Sequence, residues 1–279
     1  MKKKWIFVAF ILVVFPFSMA IAKAEKPITL VFESCYPATH SRLGNHTPLG
    51  EILTAFEKDS GGRIKIERHW AGEPVPKKET LEGVGKGIID LLLSAQTYYS
   101  GKIAIADHGI MPKNFRTNAD IFDLWWNTPM GKIIDDIYQK RANVKLLMPM
   151  PYSNYVIQVS KRTKKVRKFE DFKGKKMRAP GGMADLAAKG IGASPVLTIG
   201  GDYYTAMQRG TIDTGMMPMY TFEAYKMWEV CHQAVLPHIF NNCFVFLWMN
   251  LDTWKKLDPE LQETITKVAR KMETRINAF

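Results

Sequence analysis

Apolar and polar positions switch between two periods along this chain, and each switch marks an element. Residues 28–32 read as a strand, closed by turn chemistry at Pro37, Ala38 and Thr39. Leu49, Ile52, Leu53 and Phe56 then recur at helical spacing until Ser60, Gly61 and Gly62 stop them. Residues 63–68 alternate as a half-buried strand, 80–86 form a short helix, and 88–93 are an apolar run suited to a sheet covered on both faces. Helices are predicted over 119–126 and 131–141, with a strand over 144–148. This β-α-β-α-β order predicts a parallel sheet with right-handed crossovers.

A second set follows. Strands are predicted over 155–160, 175–179, 195–198 and 212–215, with helices over 183–189 and 203–209. Residues 242–248 read as a hydrophobic strand that crosses back to the first set. Asp258 and Pro259 open a final helix, whose apolar stripe runs through Leu261, Ile265, Val268, Ala269, Met272 and Ile276. The expected fold is α/β, with two domains and mostly parallel sheets joined by crossing strands and a long helix. The first domain is drawn as 25–149 plus 237–258, the second as 150–236 plus 259–279.

The start of the chain stands apart. Lys2, Lys3 and Lys4 precede an apolar run from Trp5 to Ile21, and Ala22-Lys23-Ala24 gives the small-x-small pattern of a cleavage site. Residues 1–24 are therefore expected to be a cleavable export signal, which places the protein in the periplasm. The four lysines of that segment belong to a formal charge of +12, so +8 remains beyond it, which suits an anionic ligand or simple solubility. The lysines read as scattered rather than clustered with aromatics, so nucleic acid is not an expected partner. Cys35, Cys231 and Cys243 are an odd number, so at least one thiol stays free, and buried small hydrophobes are the expected role.

No catalytic constellation emerges. The glycines of residues 83–87 fit neither the dinucleotide fingerprint nor the phosphate loop, and no His-Glu-x-x-His pair occurs. Cys231, His232, His238 and Cys243 match no standard zinc spacing. The reading is a non-enzyme with no cofactor and no metal.

Three stretches carry a resemblance. Residues 171–180 (DFKGKKMRAP), Gly192 to Pro195 and residues 204–213 (YTAMQRGTID) occur in one order, with residues 36–40 (YPATH), 60–64 (SGGRI) and 224–230 (AYKMWEV) around them. This pattern resembles the substrate-binding proteins of tripartite ATP-independent periplasmic (TRAP) transporters, DctP type. The resemblance implies a Venus-flytrap fold of the periplasmic-binding-protein kind that closes on a small organic acid. It also implies delivery to TRAP permease membrane subunits, with the binding protein monomeric.

Arg178 matches the ligand arginine of that family. Its planar fork of donors suits a carboxylate, and it sits near the carboxyl end of a strand, where open α/β sheets bind ligands. Gly181 lets the backbone approach. Met217 stands where the family commonly has an asparagine, either as pocket wall or as core. Gly200 or Gly201 replaces an aromatic, and a second arginine is missing near Tyr152. These changes predict a wider, more apolar pocket for one carboxylate carrying a larger apolar or aromatic body. Further wall candidates on loops are Cys35, Tyr36, Gln96, Tyr98, Tyr99, Tyr152 and Asn154, with Glu73 and His40 as weaker ones. Relatives continue beyond the last helix, so its stripe is expected to lack some cover. The alternatives are the ligand-binding component of an extracytoplasmic sensor and, less favoured, a secreted hydrolase or isomerase.

Overall fold

The structure is a computed structural model that describes residues 26–110 and 115–277; the expected export signal lies outside them. Its first half contains β1 (Ile28–Ser34), α1 (Pro48–Asp59), β2 (Ile64–Trp70), α2 (Thr80–Gly85), β3 (Leu91–Ser94), α3 (Asn118–Asn127) and α4 (Pro129–Ala142). β4 (Val144–Ser160) then crosses into a second half of β5 (Lys176–Ala179), α5 (Gly182–Gly190), β6 (Ser194–Leu197), α6 (Tyr203–Arg209), β7 (Thr214–Pro218) and α7 (Thr221–Ala224). β8 (Cys231–Asn250) returns to the first half, where α8 (Leu251–Lys256) and α9 (Pro259–Asn277) end the chain's described part.

Local chemistry explains the helix limits. Thr47 accepts the Leu49 N–H ahead of Pro48, and Thr117 with Asp120 forms a reciprocal capping box on α3. α4 starts at Thr128-Pro129 and stops at Asn143, whose left-handed φ of 54° suits asparagine. Asp258 Oδ1 accepts the Leu261 N–H and opens α9.

The strands hydrogen-bond in the order β2-β1-β3-β8-β4-β7-β5-β6. β1 pairs in parallel with β2 and β3, and β5 with β6 and β7, whereas β8 and β4 lie antiparallel to their neighbours. The stretches predicted at 144–148 and 155–160 are one continuous 17-residue strand, and 242–248 is the last part of a 20-residue strand. The two pair from Val144 opposite Asn250 to Ser160 opposite Cys231. Register shifts fall between Leu146 and Met148 and again between Pro151 and Ile157. Pro149 and Pro151 offer no N–H to the ladder, and bulges of this kind bend a strand pair, so the bend sits where the two halves meet.

α9 lies on the first half rather than in the second domain to which 259–279 are assigned above. Leu261, Ile265, Val268, Ala269 and Ile276 are all at most 5% exposed and share one core cluster with Leu49, Ile52, Leu53 and Phe56 of α1. The expected uncovered stripe is therefore covered, because the complementary stripe of α1 faces it. Each such aliphatic side chain contributes about 1.5–3 kcal/mol on burial. Arg63 pairs with Asp258, Arg275 Nε lies 2.9 Å from Glu51, and Arg270 stacks 4.8 Å over Trp126. All three cysteines are free and buried. No helix among the described residues is long and apolar enough to cross a membrane.

Glu33 on β1 is fully buried, and burial raises its carboxyl to about 7, the Val75 backbone and His69 offsetting only part of the effect. Its folded pKa is above its unfolded one, so its stabilising contribution is complete below about 4.5 and is lost as pH rises through about 7. Glu33→Gln is expected to raise stability at pH 8 by on the order of 2–3 kcal/mol. In denaturant titrations, the gap to wild type should close below pH 5.

Candidate functional site

Arg178 stands at the third position of β5, 1% exposed, between Val196 of β6 and Gly215 of β7. The residue after β6 and a residue of β7 hold its guanidinium: Nε donates to the Thr198 carbonyl at 2.9 Å and Nη1 to the Met216 carbonyl at 2.6 Å. Two carbonyls fix the plane of the fork, so its orientation is set by the sheet. Nη2 lies 3.5 Å from the Tyr98 hydroxyl of the first half.

Tyr98 and Tyr225 stand within reach of its charge, and Tyr36 and Tyr220 lie against His40 close by. Tyr36 follows β1 and Tyr98 sits in the 3-10 turn after β3, while Tyr220 follows β7 and Tyr225 follows α7. A Cβ on Gly200 would lie 3.5 Å from the hydroxyls of Tyr98 and Tyr225 and 3.8 Å from the Tyr36 ring. The Gly200 N–H instead donates to the Tyr98 hydroxyl at 3.1 Å. Three phenol rings therefore stand at ordinary contact distance from this position. Burial raises the pKa of Tyr98, Tyr220 and Tyr225, with Arg178 pulling against it at Tyr98 and Tyr225, so all three keep their protons.

His40 is 2% exposed. Its ring lies 5.1 Å from Tyr36, 5.2 Å from Tyr220 and 5.7 Å from Tyr225. Nδ1 accepts the N–H groups of Arg42 and Leu43, so the proton resides on Nε2, which donates to the Tyr220 hydroxyl at 3.0 Å. Burial, then the Arg42 charge, lower its pKa to about 4.

The other sequence candidates fall elsewhere. Gln96 is fully buried and donates to the Phe244 carbonyl, tying its turn to β8. Met217 is 3% exposed in a core cluster with Tyr203, Met207 and Met227, on the face of β7 that α6 covers. Tyr152 lies on the backbone of β4, with its side chain outside the described part of the structure. Asn154 is on that strand rather than a loop, its carbonyl accepting the Met219 N–H. Cys35 is buried next to Tyr36, Tyr99 bonds Thr80 and Ser94 within the first half, and Glu73 is exposed beside His69. Sequence reading missed Tyr220 and Tyr225. The rule that ligands lie beyond strand carboxyl ends singles out Tyr220, two residues after β7.

Gly181 and Gly182 sit at a contact between the halves. At Gly181, φ 106°, a Cβ would be 2.7 Å from the Thr97 carbonyl; at Gly182, φ 51°, it would be 1.9 Å from an Asp107 carboxylate oxygen. Asp107 reaches across to the N-terminus of α5, accepting the Met183 N–H at 2.9 Å while its other oxygen accepts the Ser100 hydroxyl at 2.6 Å. A carboxylate at a helix N-terminus is favourable by about 0.3–1 kcal/mol or more when partly buried. Lys77 and Asp202 add an ion pair at 3.1 Å, mostly exposed on the acid and worth little. Among the described residues no three His, Cys, Asp or Glu side chains converge to hold a metal.

Comparison with known proteins gives one family. The model of the bacterial extracellular solute-binding proteins, family 7 (DctP), matches residues 44–278. A solute-binding protein of Albidiferax ferrireducens is 24% identical over 92% of this chain and 75% of its own length. A monocarboxylate 2-oxoacid-binding periplasmic protein of Nostoc is 29% identical over 79% of this chain and 60% of its own length. A TRAP solute-binding protein from a marine metagenome, crystallised with co-purified pyroglutamate, superposes with a TM-score of 0.80 at 17% identity, covering 91% of this chain and 80% of the other.

Two outcomes are expected. Asp107→Ala should weaken the tightest-binding acid about fivefold by loosening closure, with Asp107→Asn between it and wild type in calorimetry. Nitrogen NMR should show His40 as the neutral Nε2–H tautomer at pH 6, protonating only as pH falls toward 4. Stability is lost over the same range, because the unfolded chain takes up a proton near pH 6.5 that the folded chain refuses.

Proposed function

Because this chain belongs to the bacterial extracellular solute-binding proteins of family 7, the DctP type, we propose that it captures a small organic acid between its halves and delivers it to a TRAP permease. Arg178 takes the carboxylate, and the body of the ligand lies against Tyr36, Tyr98, Tyr220 and Tyr225. The observation that carries this reading is the buried guanidinium, held in plane by the Thr198 and Met216 carbonyls at the cleft end of β5.

The surroundings of Arg178 favour a monocarboxylate with a compact cyclic or branched body over an extended diacid. Phenol rings supply flat apolar faces, and their hydroxyls supply hydrogen bonds at the edges. A 2-oxoacid binder and a pyroglutamate binder among the similar proteins accord with that class. Export to the periplasm and the absence of catalysis belong to the same proposal, supported by the family and by the basic-then-apolar start of the chain.

The test is a thermal-shift screen over monoacids, ring acids and diacids, followed by calorimetry. A true ligand stabilises the folded state by mass action. Arg178→Lys, which keeps the charge and loses the fork, is expected to weaken the best acid about a hundredfold, and Tyr98→Phe about tenfold. Unchanged affinity in Arg178→Lys would remove the anchor assignment. Diacids binding far more tightly than ring monoacids would overturn the ligand class, and an acid recovered chemically altered would point to catalysis.

A further inference from the structure

The cleft holds little of the chain's excess charge. Residues 161–176 carry nine lysines and arginines against Glu170 and Asp171, a net of +7, when only +8 remains in the whole chain beyond residue 24. The expectation of scattered lysines fails in this stretch. All nine are exposed except half-buried Lys175, and none joins an ion pair among the described residues. β5 (Lys176–Ala179) begins at Lys176 and reaches Arg178 near its other end, so the stretch lies at the end of that strand opposite the cleft.

The segment is a firm platform. Val166 is pinned by two bonds to the Gln233 amide, at 2.9 and 2.7 Å. Asp171 accepts the backbone N–H groups of Arg167 and Lys168, and Phe172 is 2% exposed in the core. Phe169, three residues earlier, is instead 71% exposed in the middle of the cations. A pinned backbone, exposed lysines and one unburied aromatic ring form a built pattern.

We propose that this pole docks on an anionic lipid bilayer. Lysine and arginine near such a surface each raise partition about fivefold, and a phenylalanine immersed at headgroup depth adds an apolar anchor. An acidic protein partner fits less well. Seven of the nine cations are lysines, which specific protein interfaces disfavour, and the surface is a turn rather than a packed apolar centre. Docked by this pole, the chain is held at the membrane with its cleft turned away from the lipid.

The experiment is sedimentation of the full chain with phosphatidylcholine vesicles, with and without phosphatidylglycerol, over a salt series. Neutral vesicles report whatever the apolar N-terminal stretch contributes. Binding to the anionic vesicles should exceed that to the neutral ones and fall as salt rises. The triple variant Lys164→Glu, Lys165→Glu, Lys168→Glu should lose at least about tenfold of it, and Phe169→Ala a smaller, salt-independent part. Both variants should keep the wild-type circular dichroism, since every altered side chain is exposed. Equal binding to the two vesicle types, or an unchanged triple variant, overturns the proposal. Binding to a soluble acidic polypeptide with no preference for anionic vesicles would overturn it in favour of a protein partner.

Discussion

The antiparallel pairing of β4 with β8 is the constraint on which everything else rests. It is the only continuous ladder among the described residues that runs through both halves, and each half builds its own strands outward from it. Parallel strands β1, β2 and β3 on one side, and β5, β6 and β7 on the other, point their ends toward the middle of the pair. The groups that follow those ends (Tyr36, Tyr98, Thr198 and Tyr220) are thereby delivered to one place. Irregular register at the middle of the ladder bends it without breaking it.

Within that frame the site is assembled from groups that restrain one another. The Arg178 fork is set by the Thr198 and Met216 carbonyls, Tyr98 is set by the Gly200 N–H, and Asp107 ties the first turn of α5 to the opposite half. Two of these four bonds span the halves, so the shape of this region depends on how the halves meet. Under the function proposed above, a ligand would meet contacts already oriented, which limits the ordering entropy lost on binding.

The order of elements was legible in the sequence because strand and helix periods differ and because Asp258 and Pro259 mark the start of the last helix. The continuity of β4 was not, since Pro149 and Pro151 read as breaks and only pairing with β8 carries the strand through them. α9 shows the same limit: its stripe was visible, but its cover comes from α1, some two hundred residues earlier in the chain. For the site, the resemblance singled out Arg178 from its neighbours, whereas Met217 and Gln96 could not be sorted into core or wall. Adjacent strand residues face opposite sides, so Met217 enters the core under α6 while Met216 turns the other way. Tyr220, Tyr225 and His40 meet only through tertiary packing, which no local period encodes.

The hydrogen bonds of His40 carry a consequence for the polarity of the cleft. With Nδ1 committed to two backbone amides of its own turn, the imidazole can act toward Tyr220 only as a donor. Tyr220 must then spend a lone pair on the histidine and direct its hydroxyl hydrogen to some other acceptor. The direction of a dipole on the cleft wall is thus written by the local fold of residues 40–43, before any solute arrives. Under the function proposed above, a solute reaching Tyr220 would meet a fixed sense of donor and acceptor, and its orientation would be chosen without moving a proton.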